Sequence, residues 1–353
     1  IKLMRRLMID WGYRGQRLAA RLARRLRRGG SERLPEATNT PMRVRSQVVH
    51  FVERPMPASV PRQTLRAMLG LEDSALVPIL RDPERVSEDT EAVFYFPGCG
   101  SERLFSQVGL ATLAMLYRTG AQTVLPPGYL CCGYPQKSAG DAARGGQIST
   151  DNRVLFHRVA NTLNYLDIRT VIVSCGTCMD QLLEYQFESI FPGCRLLDIH
   201  EYLLEKGVRL EAGEATQYLY HDPCHTPMKT HNPVQVASTL MGQPVQLSDR
   251  CCGEAGTFAV SRPDIASQLR YRKQQEISQG IEQLTGKPRV VDGNVKMLTS
   301  CPSCQQGLAR YADVTGLATD YIVVELANRL LGEGWESQFV SRVQSGGIER
   351  VLL

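Results

Sequence analysis

Cysteine recurs along this chain in two sets of identical order: a single cysteine, an adjacent pair followed by glycine, then two cysteines separated by two residues. The first set is Cys99, Cys131, Cys132, Cys175 and Cys178; the second is Cys224, Cys251, Cys252, Cys301 and Cys304. The sets span 79 and 80 positions, although the inner gaps differ, 31 then 42 residues against 26 then 48. Each cluster follows a short apolar stretch. Ala92–Phe96, Thr123–Leu125 and Thr170–Ser174 lead into the first set, and Tyr218–His221, Pro244–Leu247 and Lys296–Ser300 into the second. Helical spacing fits Leu104–Arg118, Asp151–Leu166, Ile199–Lys206 and Tyr321–Leu331 between or after them. Strands alternating with helices predict parallel βαβ sheets. The expected fold class is therefore α/β: two tandem Rossmann-like parallel-sheet domains related by internal duplication. Asp198–Glu201 and Asp320–Val323 hold equivalent places after each CxxC.

The eleven cysteines are an odd number in 353 residues, so they cannot all pair within one chain. The basic start never gives way to the apolar core of a signal peptide, which favours reduced thiols in a cytoplasmic protein. No apolar run reaches the length of a membrane span. Charge is uneven: residues 1–36 carry 11 Lys+Arg against 3 Asp+Glu, so the other residues sum to −3 within a net charge of +5. That distribution argues against a nucleic-acid partner for the main body. Leu3, Met4, Leu7, Met8 and Trp11, then Leu18, Leu22, Ala23 and Leu26, form apolar stripes among arginines. They predict a basic amphipathic helix over residues 1–30, able to dock on protein or to lie peripherally on the inner face of a membrane. The opening at Ile1 suggests continuation from a longer protein. Residues 31–90, broken by Pro35, Pro41, Pro55, Pro57 and Pro61, read as an irregular linker with a short helix near Arg62–Leu69.

In parallel sheets ligands sit beyond the carboxyl ends of strands, where every one of these ten cysteines falls. Thiolates are soft ligands suited to iron–sulfur clusters, zinc or cuprous ions. An iron–sulfur centre, a structural zinc in each half and vicinal disulfide chemistry all fit the spacing. Adjacent cysteines strain a single tetrahedral centre, and five ligands exceed the four of an ordinary cube. Gly98, Gly100, Gly133, Gly176 and Gly253 suit tight turns beside such a centre. Cys194 has no partners at the right spacing and reads as a bystander. His221 and His225 flank Cys224 and suit either metal ligation, proton transfer or packing. Arg103, Lys137 and Arg144 lie near the first set, to balance its charge, bind an anionic substrate or face solvent, and Glu254 after the second CCG suits proton transfer or a helix start. No phosphate-binding loop, dinucleotide fingerprint or nucleophile elbow is present. Nor is a ferredoxin-type CxxCxxCxxxCP run.

Phe96-Pro97-Gly98-Cys99, Cys131-Cys132-Gly133, Asp222-Pro223-Cys224-His225, Cys251-Cys252-Gly253 and the two CxxC pairs resemble the cysteine-rich CCG domain family. That family includes the B subunit of heterodisulfide reductase. It also includes iron–sulfur subunits of glycolate oxidase, lactate-utilisation and anaerobic glycerol-3-phosphate dehydrogenase systems. The resemblance covers residues 92–331 and implies a first CCG domain over 91–212 and a second over 213–353. It implies that all ten cysteines bind cofactor and metal: one or two [4Fe–4S] clusters, noncubane in the heterodisulfide reductase branch, with zinc in one half as the alternative. The start of the chain also resembles the C-terminal part of large fusions that join an FAD-binding oxidase, a ferredoxin module and this cysteine-rich region. The expected function is an iron–sulfur electron-transfer module. It would take electrons from an FAD-dependent hydroxy-acid dehydrogenase of lactate or glycolate type, in cis or in trans, and pass them to a quinone or another carrier. The alternatives are a heterodisulfide reductase-like catalytic subunit and a zinc-stabilised scaffold. No catalytic residue is assigned, and the chain reads as a component of an oxidoreductase.

Overall fold

The computed structural model describes residues 63–211, 216–253 and 263–353, with Leu18 and Pro61. The basic helix expected over 1–30, most of the linker expected over 31–90, and Glu254 lie outside these residues. Among the described residues, ten strands form two sheets.

The first half runs α1 (Leu65–Leu69), β1 (Leu76–Leu80), β2 (Ala92–Phe96), α2 (Ser106–Thr119), β3 (Gln122–Val124), α3 (Tyr134–Ser138), α4 (Ala142–Thr162), β4 (Ile168–Val173), α5 (Gly176–Leu182), β5 (Arg195–Asp198) and α6 (Ile199–Glu205). The second half runs β6 (Gln217–His221), α7 (Pro233–Leu240), β7 (Gln246–Leu247), α8 (Pro263–Thr285), β8 (Val295–Thr299), α9 (Pro302–Leu308), β9 (Ala318–Tyr321), α10 (Ile322–Leu331), α11 (Trp335–Arg342) and β10 (Ile348–Leu352). The sheet orders are β10-β1-β3-β2-β4-β5 and β7-β6-β8-β9. Four strands of the first sheet, β3-β2-β4-β5, are mutually parallel and repeat the all-parallel order of the second. The architecture is the α/β one expected, the second sheet all-parallel and the first parallel-dominated but closed by the antiparallel strands β1 and β10.

The strands read as continuous apolar runs because both faces of each sheet are covered. In β2, Val93 and Tyr95 point into one core, while Ala92, Phe94 and Phe96 point into another. In β6, Tyr218 and Tyr220 share the first of those cores and Leu219 enters a third. The shared core lies between the two halves, where Leu110, Leu113 and Ala114 of α2 pack with Ile322, Val323 and Leu326 of α10. Each outer core belongs to one half, and each contains three of that half's CCG and CxxC cysteines.

Three boundaries differ from expectation. The linker assigned to 31–90 contains β1, an internal strand antiparallel to both β3 and β10. Pro78 sits within it, donating no hydrogen bond, while its carbonyl accepts from the Leu125 N–H at 2.9 Å. The end of the span assigned to the second domain, 213–353, returns to the first sheet: Val351 of β10 pairs with Val77. The physical reason is edge protection: β10 covers β1, whose Leu76–Leu80 run is almost wholly buried. Helix α4 begins at Ala142 rather than Asp151, capped by Asp141, whose carboxylate accepts the Arg144 N–H at 3.0 Å.

Candidate metal centre

All ten cysteines of the two sets lie past the carboxyl ends of their strands, and none is in a disulfide. Cys99 follows β2, Cys131 and Cys132 follow β3, and Cys175 stands immediately before α5 with Cys178 in its first turn. Cys224, Cys251, Cys252, Cys301 and Cys304 occupy the same places on β6, β7 and α9. Cys132, Cys175, Cys178, Cys252, Cys301 and Cys304 are buried, and Cys224 is exposed.

The two sets are not separate. Within the first, Cys99 meets Cys131, Cys131 Cys132, Cys132 Cys178, and Cys178 Cys175, each thiol shifting the ionisation of the next. Within the second, Cys224 meets Cys251, Cys251 Cys252, Cys252 Cys304 with Sγ to Sγ at 3.6 Å, and Cys304 Cys301. Cys175 and Cys301 then meet each other. The ten thiols form one unbroken line across the molecule, and each link has its counterpart on the other side of the Cys175–Cys301 contact.

Supporting residues repeat in the same way. The Tyr95 hydroxyl lies 2.7 Å from Ser174 Oγ, and Tyr220 lies 3.2 Å from Ser300 Oγ. The Tyr185 hydroxyl donates to the Cys132 carbonyl at 2.9 Å, and Tyr311 to the Cys252 carbonyl at 3.4 Å. Tyr321 spans both halves: its hydroxyl is 2.8 Å from the carbonyl of Ser174 and 2.6 Å from that of Ser300, the residues before Cys175 and Cys301. Sequence reasoning missed these tyrosines. Their common offset, seven residues past Cys178 and Cys304 for Tyr185 and Tyr311, was the signal available.

Close packing fixes the geometry. Gly98 adopts φ +63°, and a Cβ there would lie 2.6 Å from Cys178 Sγ. A Cβ on Gly176 would lie 1.5 Å from the backbone oxygen of His225, so a bare backbone in the first CxxC lets the second half seat against it.

Crowded sulfur cannot ionise uniformly, because neighbouring negative charges repel. Cys131 is held down to about 3 by hydrogen bonds from Cys132 and Cys99. Cys251 is held down to about 2 by Cys224 and Cys252, and Cys301 far below the usual thiol range by Cys175 and Cys304. Their neighbours are pushed the other way: Cys132 up to about 12 beside Cys131, and Cys178 and Cys304 well up beside Cys132 and Cys252. Thiolates wedged among thiols in an apolar core are what a soft cation relieves, by taking the charge of several sulfurs at once. The donor set thus fits a metal or iron–sulfur centre on its own chemistry.

The other expected site residues fall as follows. Arg103 stacks on the Tyr129 ring at 4.7 Å and helps to lower Cys131. Lys137 is engaged by Glu184 at 2.6 Å, and Arg144 is exposed on α4. Cys194 is buried in the outer core of the first half, away from the sulfur line, with its thiol raised to about 11 by burial. His225 bridges the halves: Nε2 lies 3.1 Å from the Tyr134 hydroxyl, and Nδ1 contacts Asp180, which Lys229 also holds at 2.8 Å. His221 is fully buried, and its ring nitrogen lies within 4.8 Å of Cys252 and Cys304 Sγ.

The family described as a cysteine-rich domain matches residues 93–183 and again 218–309, more than half of the chain. A domain family of unknown function matches 309–353, the segment that carries α10, α11 and β10. The chain is 23% identical over 269 residues to an uncharacterised iron–sulfur protein of Methanococcus maripaludis, covering 73% of this chain and 50% of that protein. It is 24% identical to a probable glycolate oxidase iron–sulfur subunit of Bacillus subtilis, covering 68% and 54%. It is 25% identical to lactate utilization protein A of an Exiguobacterium species, covering 55% and 84%. The chain spans about half the length of the first two relatives.

Proposed function

The chain belongs to the cysteine-rich CCG domain family, and on that premise we propose that it is an iron–sulfur electron-transfer module working with a flavin-dependent dehydrogenase of small hydroxy acids. The observation that carries the reading is the single line of ten cysteines from Cys99 to Cys224. A scaffold stabilised by two independent zincs needs no Cys175–Cys301 contact between its sites. A conduit for electrons does, because transfer depends on short distances. The names of the relatives, among them a glycolate oxidase iron–sulfur subunit and a lactate utilization protein, support the same class.

Each half would hold its centre through its own five cysteines: Cys99, Cys131, Cys132, Cys175 and Cys178 in the first, Cys224, Cys251, Cys252, Cys301 and Cys304 in the second. A cluster there would supply one-electron chemistry at a potential set by burial and by hydrogen bonds to sulfur. The protein's part is to keep water from the inner sulfurs, to hold Cys175 against Cys301, and to clamp both strand ends through Tyr321. Oxidation of a hydroxy acid at a flavin yields two electrons, which this reading passes on singly to a quinone or another carrier. The flavin, a ferredoxin-type module and the acceptor would belong to a partner or to another part of a longer chain. A peripheral membrane contact would belong to the basic N-terminal segment. No described helix is long and apolar enough to cross a membrane.

Iron, acid-labile sulfide and zinc content of the anaerobically purified chain, with low-temperature EPR, test the proposal. Iron and sulfide in similar amounts, with a signal that a reduced hydroxy-acid dehydrogenase can generate, are the expected result. Stoichiometric zinc without sulfide would overturn it.

A further inference from the structure

The two halves differ at one position that points directly at the sulfur. Three residues before the first cysteine of each set, the first half has Phe96 and the second has His221, each at the last position of its strand. Register confirms the equivalence: Phe96 pairs with Val173 of β4, and His221 with Thr299 of β8. Phe96 packs as core, its ring 6.0 Å from that of Phe156.

His221 has no exposed surface. Its Nδ1 lies 3.2 Å from the Ser248 carbonyl, which can only accept, so Nδ1 carries the proton. Nε2 is then a bare lone pair, and among the described residues it has no hydrogen-bond partner. A buried acceptor left without a partner is costly, so it calls for an occupant. Sulfur is on hand: a His221 ring nitrogen, Cys252 Sγ and Cys304 Sγ all lie within 4.8 Å of one another. A histidine held by a backbone carbonyl at one nitrogen and offering the other is the usual presentation of a metal-ligating imidazole. Lys273 holds the same Ser248 carbonyl at 2.9 Å, which fixes the ring's anchor.

We propose that His221 is a ligand of the second site through Nε2, so that the second half holds a mixed imidazole–thiolate centre where the first half holds thiolates alone. A neutral imidazole brings no negative charge, so a centre that takes His221 in place of one of its five thiolates has a higher reduction potential than one held by thiolates alone. The two ends of the sulfur line are therefore unequal, and an electron arriving at the first site moves to the second. This rests on the reading of both sites as metal-binding, but metal content tests that reading and nitrogen ligation tests this one.

The experiment is pulsed EPR on the reduced full-length chain labelled with ¹⁵N-histidine, alongside His221→Phe and His221→Cys. A histidine-nitrogen coupling in the unsubstituted chain, lost in both variants, is expected. His221→Cys should keep its metal and show a lower potential at one centre only. His221→Phe copies the first half; if it fails to fold, the unsubstituted spectrum and His221→Cys decide. A second site loaded with zinc is read by zinc-edge absorption, which should show one nitrogen among sulfurs that becomes sulfur in His221→Cys. An all-sulfur environment in the unsubstituted chain by either method overturns the proposal. A second site that takes neither iron nor zinc overturns this proposal and the functional reading together.

Discussion

The two halves place five cysteines each on the same strand ends, yet surround them differently. Phe96 in the first half stands where His221 does in the second. Asn152 on α4 donates to the Cys131 carbonyl at 2.8 Å, whereas Lys273 at the matching place on α8 donates to the Ser248 carbonyl. Both are seven residues past the helix carbonyl that approaches the CCG glycine, Gly145 O for Gly133 and Ala266 O for Gly253. Where the halves meet, Gly176 of the first seats against His225, and Gly100 of the first faces Pro302 of the second. The parallel sheet dictates where sulfur goes. The residues between the cysteines decide what charge it sees.

The largest effect should come from the seam. Gly176→Ala puts a Cβ 1.5 Å from the His225 backbone oxygen, and backbone cannot rotate away. The mirror contact is looser: a Cβ on Gly100 would lie 3.4 Å from Pro302. Overpacking commonly costs about 1–3 kcal/mol, and a clash of two backbones should exceed that. Gly176→Ala is expected to lose 3 kcal/mol or more, roughly, and to break the Cys175–Cys301 contact, while Gly100→Ala loses less than about 1 kcal/mol. Denaturant unfolding of the two variants measures the difference; equal losses would mean that the halves do not depend on this packing.

Acid should separate the halves next. Burial, helped by the charge of Lys273, lowers His221 from the ordinary 6.5 to about 4. Below pH 6.5 the unfolded chain binds a proton there that the folded metal-free chain refuses. Its folded stability is therefore complete above about 6.5 and is lost as the pH falls toward 4. The shift corresponds to a loss on the order of 3 kcal/mol. Phe96 has no such dependence. Subtracting the profile of His221→Phe from that of the parent chain, both metal-free, isolates the effect; parallel profiles between pH 4 and 7 would remove it.

How much of this could be read from sequence differs by element. The six strands that precede cysteine clusters were legible because they are short apolar runs that stop at glycine, proline, cysteine or a short polar turn such as that at Asp222 or Ser248. β5 and β9 were not: Arg195–Asp198 and Ala318–Tyr321 are brief, partly polar and carry no cysteine. β1 was hidden by Pro78, which ordinarily argues against an internal strand. β10 was hidden because its partners lie 268 to 276 positions away in sequence. Ten cysteines in two sets were visible as candidate ligands, but the contact of Cys175 with Cys301 depends on how the halves pack, which no spacing encodes. The substitution of Phe96 by His221 across the repeat was equally visible. What gives it meaning is the Ser248 carbonyl, which settles which nitrogen is bare.

A smaller effect should appear in the balance of the two sites. Lys273 is fully buried beside the second set, and its ammonium is held by Ser248 and Glu276. Lys273→Gln should lower the potential of the second centre and leave the first in place. A charge near a buried site is worth about 1–4 kcal/mol at an effective dielectric near 20, so a shift of roughly tenfold in the equilibrium between the centres is expected. Redox titration followed by EPR reads both centres in one sample. A second centre that does not move would leave His221 as the difference that matters between the halves.

The smallest effects belong to residues outside the line. Lys137 near the first set is bound to Glu184 on an open surface, an arrangement worth at most about 1 kcal/mol. Cys194 packs in the outer core, and no other cysteine is among the groups that shift its thiol. Its buried sulfur, pushed up to about 11, stays a neutral thiol at ordinary pH. Lys137→Ala and Cys194→Ser should both leave metal content unchanged, the first with almost no change in melting temperature and the second with a loss of about 1 kcal/mol from placing a hydroxyl in an apolar site. Cys178→Ser, a change of the same one atom, should empty the first site, because its sulfur links Cys132 to Cys175. Metal content of the two serine variants side by side is the decisive measurement. If Cys194→Ser also loses metal, the first half has six ligands rather than five, and the match between the halves breaks at its simplest point.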